Sequence, residues 1–185
     1  QVLVWTFTLV WLIDARGWSP GSAGTLVMSA QLLGAGGRIG AGRWSDAVLR
    51  RSGDVVSARL RPIRVIALAA AGSMMLLAVT DALDSPVSIA LMMVASVITV
   101  SDNGLAFTAI AENAGPFWSG RALGPQNTSQ LLTAGVAPPL FGGLIGIAGF
   151  PVAFAVCAIF PLLAIPAVPV PAGSVSDRRG SARSG

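Results

Sequence analysis

The sequence predicts an all-α membrane protein, a bundle of six transmembrane helices. Hydrophobic residues make up 54% of the 185 residues and charged residues only 11%, whereas a soluble domain carries about 25% charged residues. Long apolar segments alternate with short polar connections, and the arginines gather in every second connection. We therefore expect a lipid bilayer, not water, to surround most of the chain.

The apolar segments define the predicted spans. The first, 1–13, would cover about 18 Å as a helix, less than the ~30 Å of bilayer hydrocarbon, so we interpret it as the end of a longer helix and the sequence as a fragment. Ser19-Pro20, Ser85-Pro86 and Pro151 are helix-start signals. Further spans are predicted at 20–43, 62–80, 86–111, 120–147 and 151–168, which makes 1–171 one transmembrane unit and 172–185 a disordered tail.

The arginines predict the orientation of these spans. Arg16 alone lies in an odd-numbered connection, and Arg38 lies within a helix. The other ten lie in or beside the second connection, at the fourth connection or in the tail: Arg43, Arg50, Arg51, Arg59, Arg61, Arg64, Arg121, Arg178, Arg179 and Arg183. Positive residues concentrate on the cytoplasmic side of membrane proteins. We therefore expect a multi-pass plasma-membrane protein with a cytoplasmic C-terminus.

Composition argues against several kinds of site. The sequence has no His and no Tyr, and its one cysteine, Cys157, lies in an apolar run. Ser-His-Asp triads, His-based metal sites and disulfide frameworks need residues that are missing. We expect no enzyme activity, no metal and no cofactor. Nucleic acid is not an expected partner either, because topology accounts for where the arginines lie.

The glycine-rich stretch "GAGGRIGAGRWSD", residues 34–46, has two possible interpretations. A dinucleotide-binding loop needs G-x-G-x-x-G after a strand, but Ile39 occupies the third glycine position and the preceding residues read as helix. Small residues four apart fit better, because they let helices approach closely in lipid. The pairs with that spacing are Ala30/Gly34, Gly36/Gly40 and Gly37/Ala41. Close helix packing is the favoured interpretation.

The end of this stretch resembles a known family motif. "GRIGAGRWSD" with the arginines that follow is similar to the G-x-x-x-D-R-x-G-R-R signature of the major facilitator superfamily. Gly42 and Asp46 match the leading glycine and the acid, Arg50 and Arg51 match the basic end, and Ala47 stands where the family has Arg. In the fifth span, residues 139–143 ("PLFGG") are similar to the G-P-x-x-G-G motif of exchangers in the family.

This resemblance implies a fold and a function. The chain would be the C-terminal six-helix half of a twelve-helix transporter, with a missing N-terminal six-helix half as its partner. A small-molecule substrate would cross by alternating access, coupled to protons or to a counter-solute. Asp46 would meet the positive end of a helix in the other half, an arrangement that helix dipoles favour. The cytoplasmic gate motif would comprise Gly42, Arg43, Asp46, Arg50 and Arg51.

Polar side chains inside the spans are the candidates for a solute or ion pathway. A charged residue at the centre of a membrane helix costs about 2.5–3.5 kcal/mol, so such residues usually face a cavity. Spans one, two, four and five carry polar residues, whereas spans three and six are almost wholly apolar and are expected to face lipid. The candidates are Gln31, Asp102, Asn103, Gln126, Asn127 and Gln130.

Alternatives stay open for each of these residues. Asp102 could serve substrate or proton coupling, or be a structural carboxylate bonded to neighbouring helices. The amides could bind substrate or bridge helices. Glu112 and Arg121 are expected in the cytoplasmic gate network, and Pro138-Pro139 is expected to kink the fifth span. At the level of the whole protein, the alternative to a transporter is a non-transporting scaffold or receptor-like bundle.

Overall fold

The structure of the chain, a computed structural model, describes residues 2–168, and the predicted tail at 172–185 lies outside them. Within this range the regular structure is entirely helical. A π-helical turn, Trp11–Ala15, follows α1 directly. The α-helices are α1 (Val2–Val10), α2 (Pro20–Ser52), α3 (Val55–Ala82), α4 (Val87–Ser101), α5 (Asn103–Ala114) and α6 (Ser119–Ala167).

Three stretches of helix are long and apolar enough to cross a membrane: Ala58–Ala82, Val87–Ala114 and Ser119–Pro166. The third contains 48 residues, about 72 Å of helix, which is more than twice the ~30 Å of a bilayer core. Gly149, with φ 81° and ψ 173°, interrupts it. Val2–Ala15 is a shorter apolar helix. The glycine-rich α2 is not among the three.

The second connection is much shorter than the sequence suggested. α2 continues to Ser52 and α3 begins at Val55, so only Gly53 and Asp54 join them. Gly53 adopts φ 67°, and its N–H donates to the Leu49 carbonyl at 2.9 Å, which ends α2 in the left-handed conformation that glycine favours. The predicted spans leave residues 44–61 between them, and helix-compatible residues there extend both helices beyond the apolar part. The gate motif is therefore helical throughout.

Two helices are interrupted, one inside a predicted span and one between two predicted spans. α4 and α5 are separated at Asp102, within the single predicted fourth span. In α6, non-helical backbone angles occur at Gly149, whereas Pro138 and Pro139 stay within helical geometry. Glycine tolerates the positive φ at low steric cost. The non-helical residue in α6 therefore lies between the predicted fifth and sixth spans.

The glycines of α2 pack against α4. A Cβ built on Gly37 would lie 2.7 Å from Ser101 Oγ and 3.0 Å from Val97 Cγ1, and one on Gly34 would lie 3.6 Å from Val100 Cγ1. Gly36, on the other side of the helix, has open space. One face of the stretch therefore permits close helix contact, as in other membrane helix pairs. This geometry supports packing over phosphate binding.

The largest buried cluster joins α1 and the π-turn to α2, α3, α4 and the last part of α6. Trp11 and Leu77 are fully buried, and Met92 and Phe154 lie beside them. The Trp11 and Phe154 rings meet edge-to-face with centroids 6.1 Å apart, a favourable geometry for aromatic pairs. This cluster packs α1 and the π-turn against four other helices.

Candidate functional site

Charged residues from α2, α3 and α5 meet around Arg59. Its Nε and Nη2 donate to the two carboxylate oxygens of Glu112 at 2.9 and 2.8 Å. Its Nη1 donates to Asp46 Oδ1 at 2.7 Å and to Ser45 Oγ at 2.9 Å. We call Ser45, Asp46, Arg59 and Glu112 the Arg59 network. The two-point contact with Glu112 is the strong geometry that a planar guanidinium allows.

Local packing holds Arg59 in place. Ser45 is completely buried and its hydroxyl donates to the Ala58 carbonyl at 2.9 Å, which ties α2 to the first turns of α3. The Arg59 side chain is 10% exposed, whereas Asp46 and Glu112 are 53% and 34% exposed. The network is thus a sheltered cation between two water-accessible carboxylates. It joins the ends of three helices without burying a negative charge.

A cleft of about 340 Å³ adjoins this network. It lies between α2 and α5, with the network at one end and Arg38 on the α2 wall. Arg38 forms no salt bridge within residues 2–168. The lining residues are Arg38, Gly42, Asp46, Arg59, Gly104, Leu105 and Thr108.

The gate residues predicted from the motif fall into two groups. Asp46 pairs with Arg59 of the same chain, a contact the sequence did not indicate. Arg43, Arg50 and Arg51 are exposed on α2 and form no salt bridge with any other described residue. Gly42, on the same helix, is partly buried and lines the cleft. The motif's acid is thus already paired, while its basic residues are available to other groups.

Two residues expected near the gate have different roles. Glu112, at the end of α5, is part of the Arg59 network. Arg121 instead stacks over the Trp118 ring, with its Cζ 4.9 Å from the ring centroid. Such a cation–π contact at an exposed site is worth about 0.5–1 kcal/mol. Arg121 therefore belongs to the link between α5 and α6.

Among the candidate pathway residues, the structure brings Asn103 and Gln130 together. Gln130 Nε2 donates to Asn103 Oδ1 at 3.0 Å, which joins α5 to α6. Asp102 lies at the break between α4 and α5, directly before Asn103. It is partly buried and makes no salt bridge with residues 2–168. A carboxylate and two amides therefore share one level of the bundle.

The other three candidates are not part of this contact. Gln31 and Asn127 are exposed and Gln126 is partly buried. Their side chains form no hydrogen bond in the described part of the chain. Gln126 and Gln130 lie one turn apart on the same face of α6. Large exposed apolar residues are their neighbours in sequence, for example Leu32, 69% exposed, after Gln31.

A second buried cluster lies at the other end of α3 and was missed by sequence reasoning. Asp81 Oδ1 accepts a hydrogen bond from Trp11 Nε1 at 2.9 Å and a charged one from Arg16 Nη2. The Arg16 guanidinium lies over the Trp11 ring, 5.2 Å from its centroid. We call Trp11, Arg16 and Asp81 the Asp81 cluster. The sequence places Arg16 in an odd-numbered connection, but nothing in its spacing from Asp81 indicated a pair.

The Asp81 cluster buries two charged side chains, which costs free energy. Arg16 and Asp81 have side chains only 10% and 5% exposed, and burying two charges costs much of what their attraction returns. Asp81 also lies one residue from the end of α3, where the helix dipole disfavours a negative charge. Arg16 Nε is buried and has no hydrogen-bond partner among the described residues. The Arg16–Asp81 pair is therefore weak evidence for a large contribution to stability.

Comparison with known proteins identifies the family. An uncharacterized MFS-type transporter of Mycobacterium tuberculosis strain H37Rv is 54% identical over 170 residues, which cover 92% of this chain and 36% of the relative. A second, from strain CDC 1551, matches to the same extent. The chain belongs to the MFS-type transporters. No family model and no solved structure matches it. This MFS-type chain is a multi-pass membrane protein that spans about a third of the length of these relatives.

Proposed function

We propose that the chain is the C-terminal six-helix part of a secondary transporter, which moves a small solute by alternating access. α1 with its π-turn, α2, α3, α4 with α5, and the two parts of α6 would be the six crossings. The solute would be driven by protons or by a counter-solute. The protein would lie in the plasma membrane with the Arg59 network and the C-terminus in the cytoplasm, in line with the arginine distribution.

The observation that carries the proposal is the polar group formed by Asp102, Asn103 and Gln130. Polar side chains in a membrane-spanning segment are costly, and they normally face a partner or a water-filled path. Here a hydrogen-bonded amide pair joins α5 to α6, and a carboxylate lies beside it at a helix break. Discontinuous helices near the bilayer centre are a usual feature of solute sites in secondary transporters.

The Arg59 network supports the same function from the cytoplasmic end. It connects α2, α3 and α5 through one guanidinium, so these helix ends would move as a single body. Alternating access needs two such bodies that rock about the solute site. The exposed Arg43, Arg50 and Arg51 would contact the cytoplasmic face of the other body. The solute site would then open to one side at a time.

The test is solute flux by the complete protein in proteoliposomes. Vesicles loaded with a pH-sensitive dye would be exposed in turn to amino acids, sugars, organic anions and organic cations, with and without an imposed pH gradient. We expect one class to cause proton movement or counter-flow above that of protein-free vesicles. Asp102→Asn should abolish the coupled movement, whereas Asp84→Asn, an exposed carboxylate outside the polar group, should retain it.

Absence of flux for every class, from protein that is folded and correctly oriented, would favour the scaffold or receptor-like alternative. Flux that Asp102→Asn leaves unchanged, together with its pH dependence, would keep the transporter but remove Asp102 from the coupling.

A further inference from the structure

We infer that Asp81 is a positioning residue: it holds the π-helical turn of α1 and thereby sets the rotation of α1 in the bundle. The consequence for the solute path rests on the proposed function, in which α1 is one of the helices that line that path. The inference stands on three observations, namely the π-turn, the buried contacts of Asp81 and the register of α1 against its neighbours.

The π-turn brings two partners of Asp81 onto one side of the helix. Trp11 and Arg16 are five residues apart, and in an α-helix such residues point about 140° away from each other. A π-helix bonds residue i to i+5, which aligns these positions. The Arg16 N–H donates to the Trp11 carbonyl at 3.2 Å in this pattern. Both side chains then reach the same oxygen of Asp81.

The contacts with Asp81 also stabilise the π-helical turn. π-helical turns are rare and occur mostly as single turns at functional positions, because the α-helix is the better bonded form. In this chain Trp11 and Arg16 are both buried against the carboxylate, and an α-helical turn would move one of them away from it. Removing the carboxylate therefore removes the contact that favours the π form.

The rotation of α1 depends on this turn. A change from π to α would rotate the preceding residues by about 100° and shift them by ~1.5 Å. With the π-turn in place, Thr8 Oγ1 contacts Met92 Sδ at 3.4 Å, and Phe7 Cζ lies 3.8 Å from a Cβ built on Gly142. Both contacts would be lost. The exposed hydroxyl of Thr6 and the ring of Trp5 would turn to a different part of the bundle.

The test is cysteine cross-linking in the complete protein, with Cys157→Ser as background. The reporter pair is Thr8→Cys with Met92→Cys, and the control pair is Asn103→Cys with Gln130→Cys, each joined by a short bis-thiosulfonate reagent in membranes. We expect Asp81→Ala, which removes the acceptor oxygen of Trp11 and Arg16, to lower the yield of the reporter pair at least fivefold and to leave the control pair within twofold. Asp84→Ala should change neither pair.

Two results would overturn the inference. An unchanged reporter yield in Asp81→Ala would mean that the carboxylate does not set the rotation of α1. An equal loss in both pairs would mean a general loss of structure, in which Asp81 is only a stabilising residue. Cross-linking needs no solute, so a failure of the flux experiment would remove the transport proposal without deciding this one.

Discussion

Replacing Arg59 with Gln tests how the cytoplasmic ends of α2, α3 and α5 are held. The variant removes two charge-assisted hydrogen bonds to Glu112, one to Asp46 and one to Ser45. Hydrogen bonds to charged groups contribute about 1.5–3 kcal/mol when sheltered, but Glu112 and Asp46 are 34% and 53% exposed, so water weakens both pairs. We expect a total loss of about 2–4 kcal/mol in the free energy of unfolding.

The distribution of this loss follows from the geometry. A double-mutant cycle of Arg59→Gln with Glu112→Gln should give a coupling of about 1–2 kcal/mol, because the Arg59–Glu112 contact is bidentate and Glu112 is less exposed than Asp46. The cycle with Asp46→Asn should give less than about 1 kcal/mol, the usual worth of an exposed pair. Unfolding in mixed micelles, titrated with denaturing detergent, measures both. Arg61→Gln, exposed and without a salt bridge in the described range, is the matched control, at about 0.5 kcal/mol or less.

A coupling to Glu112 below about 0.3 kcal/mol, or a larger coupling to Asp46 than to Glu112, would refute this reasoning. In the first case Glu112 would not hold Arg59 in solution. In the second, the exposed fractions of the side chains would be a poor guide to the energies of the network.

Three further predictions concern the interior. Gly37→Ala should be about 1–3 kcal/mol less stable than Gly36→Ala, because only a methyl group at position 37 meets α4. Unfolding of the two variants in micelles measures the difference, and equal stability would argue against close packing of α2 and α4. Replacing Asn103 and Gln130 by Leu, singly and together, should show a coupling of about 0.5–1.5 kcal/mol in unfolding, and additive effects would mean that the hydrogen bond is absent. Asp102→Asn should remove the pH dependence of solute uptake measured in vesicles, and an unaltered pH profile would assign Asp102 a structural role.

The helical, membrane-embedded character of the fold followed directly from composition, because apolar blocks of this length have few other stable arrangements. The exact helix ends did not follow. α2 extends to Ser52 because Trp44 to Arg51 is compatible with helix although it is too polar to count as a span. Hydropathy measures where lipid can be, whereas the helix continues beyond the hydrocarbon until Gly53 ends it.

The candidate site was only partly predictable for a similar reason. The motif identified Asp46, and the polar pattern identified Asn103 and Gln130, because these residues are unusual where they stand. Arg59 was one of several arginines near the second connection, and its role depends on a contact with a residue 53 positions later in the chain. Arg16 and Asp81 are 65 positions apart. Such pairings are set by how helices cross, which the spacing of residues in one sequence does not encode.

The most direct measurement for the whole account is the labelling of single cysteines just beyond the two ends of α3, at Ser52 and Leu83, in the complete protein with Cys157→Ser. Ser52→Cys adjoins the basic end, and Leu83→Cys, which replaces a side chain 73% exposed, adjoins the Asp81 cluster. With a maleimide that cannot cross membranes, the account predicts that intact cells label Leu83→Cys at once and Ser52→Cys only after permeabilisation. Labelling of both from outside, or of Ser52→Cys alone, would contradict it.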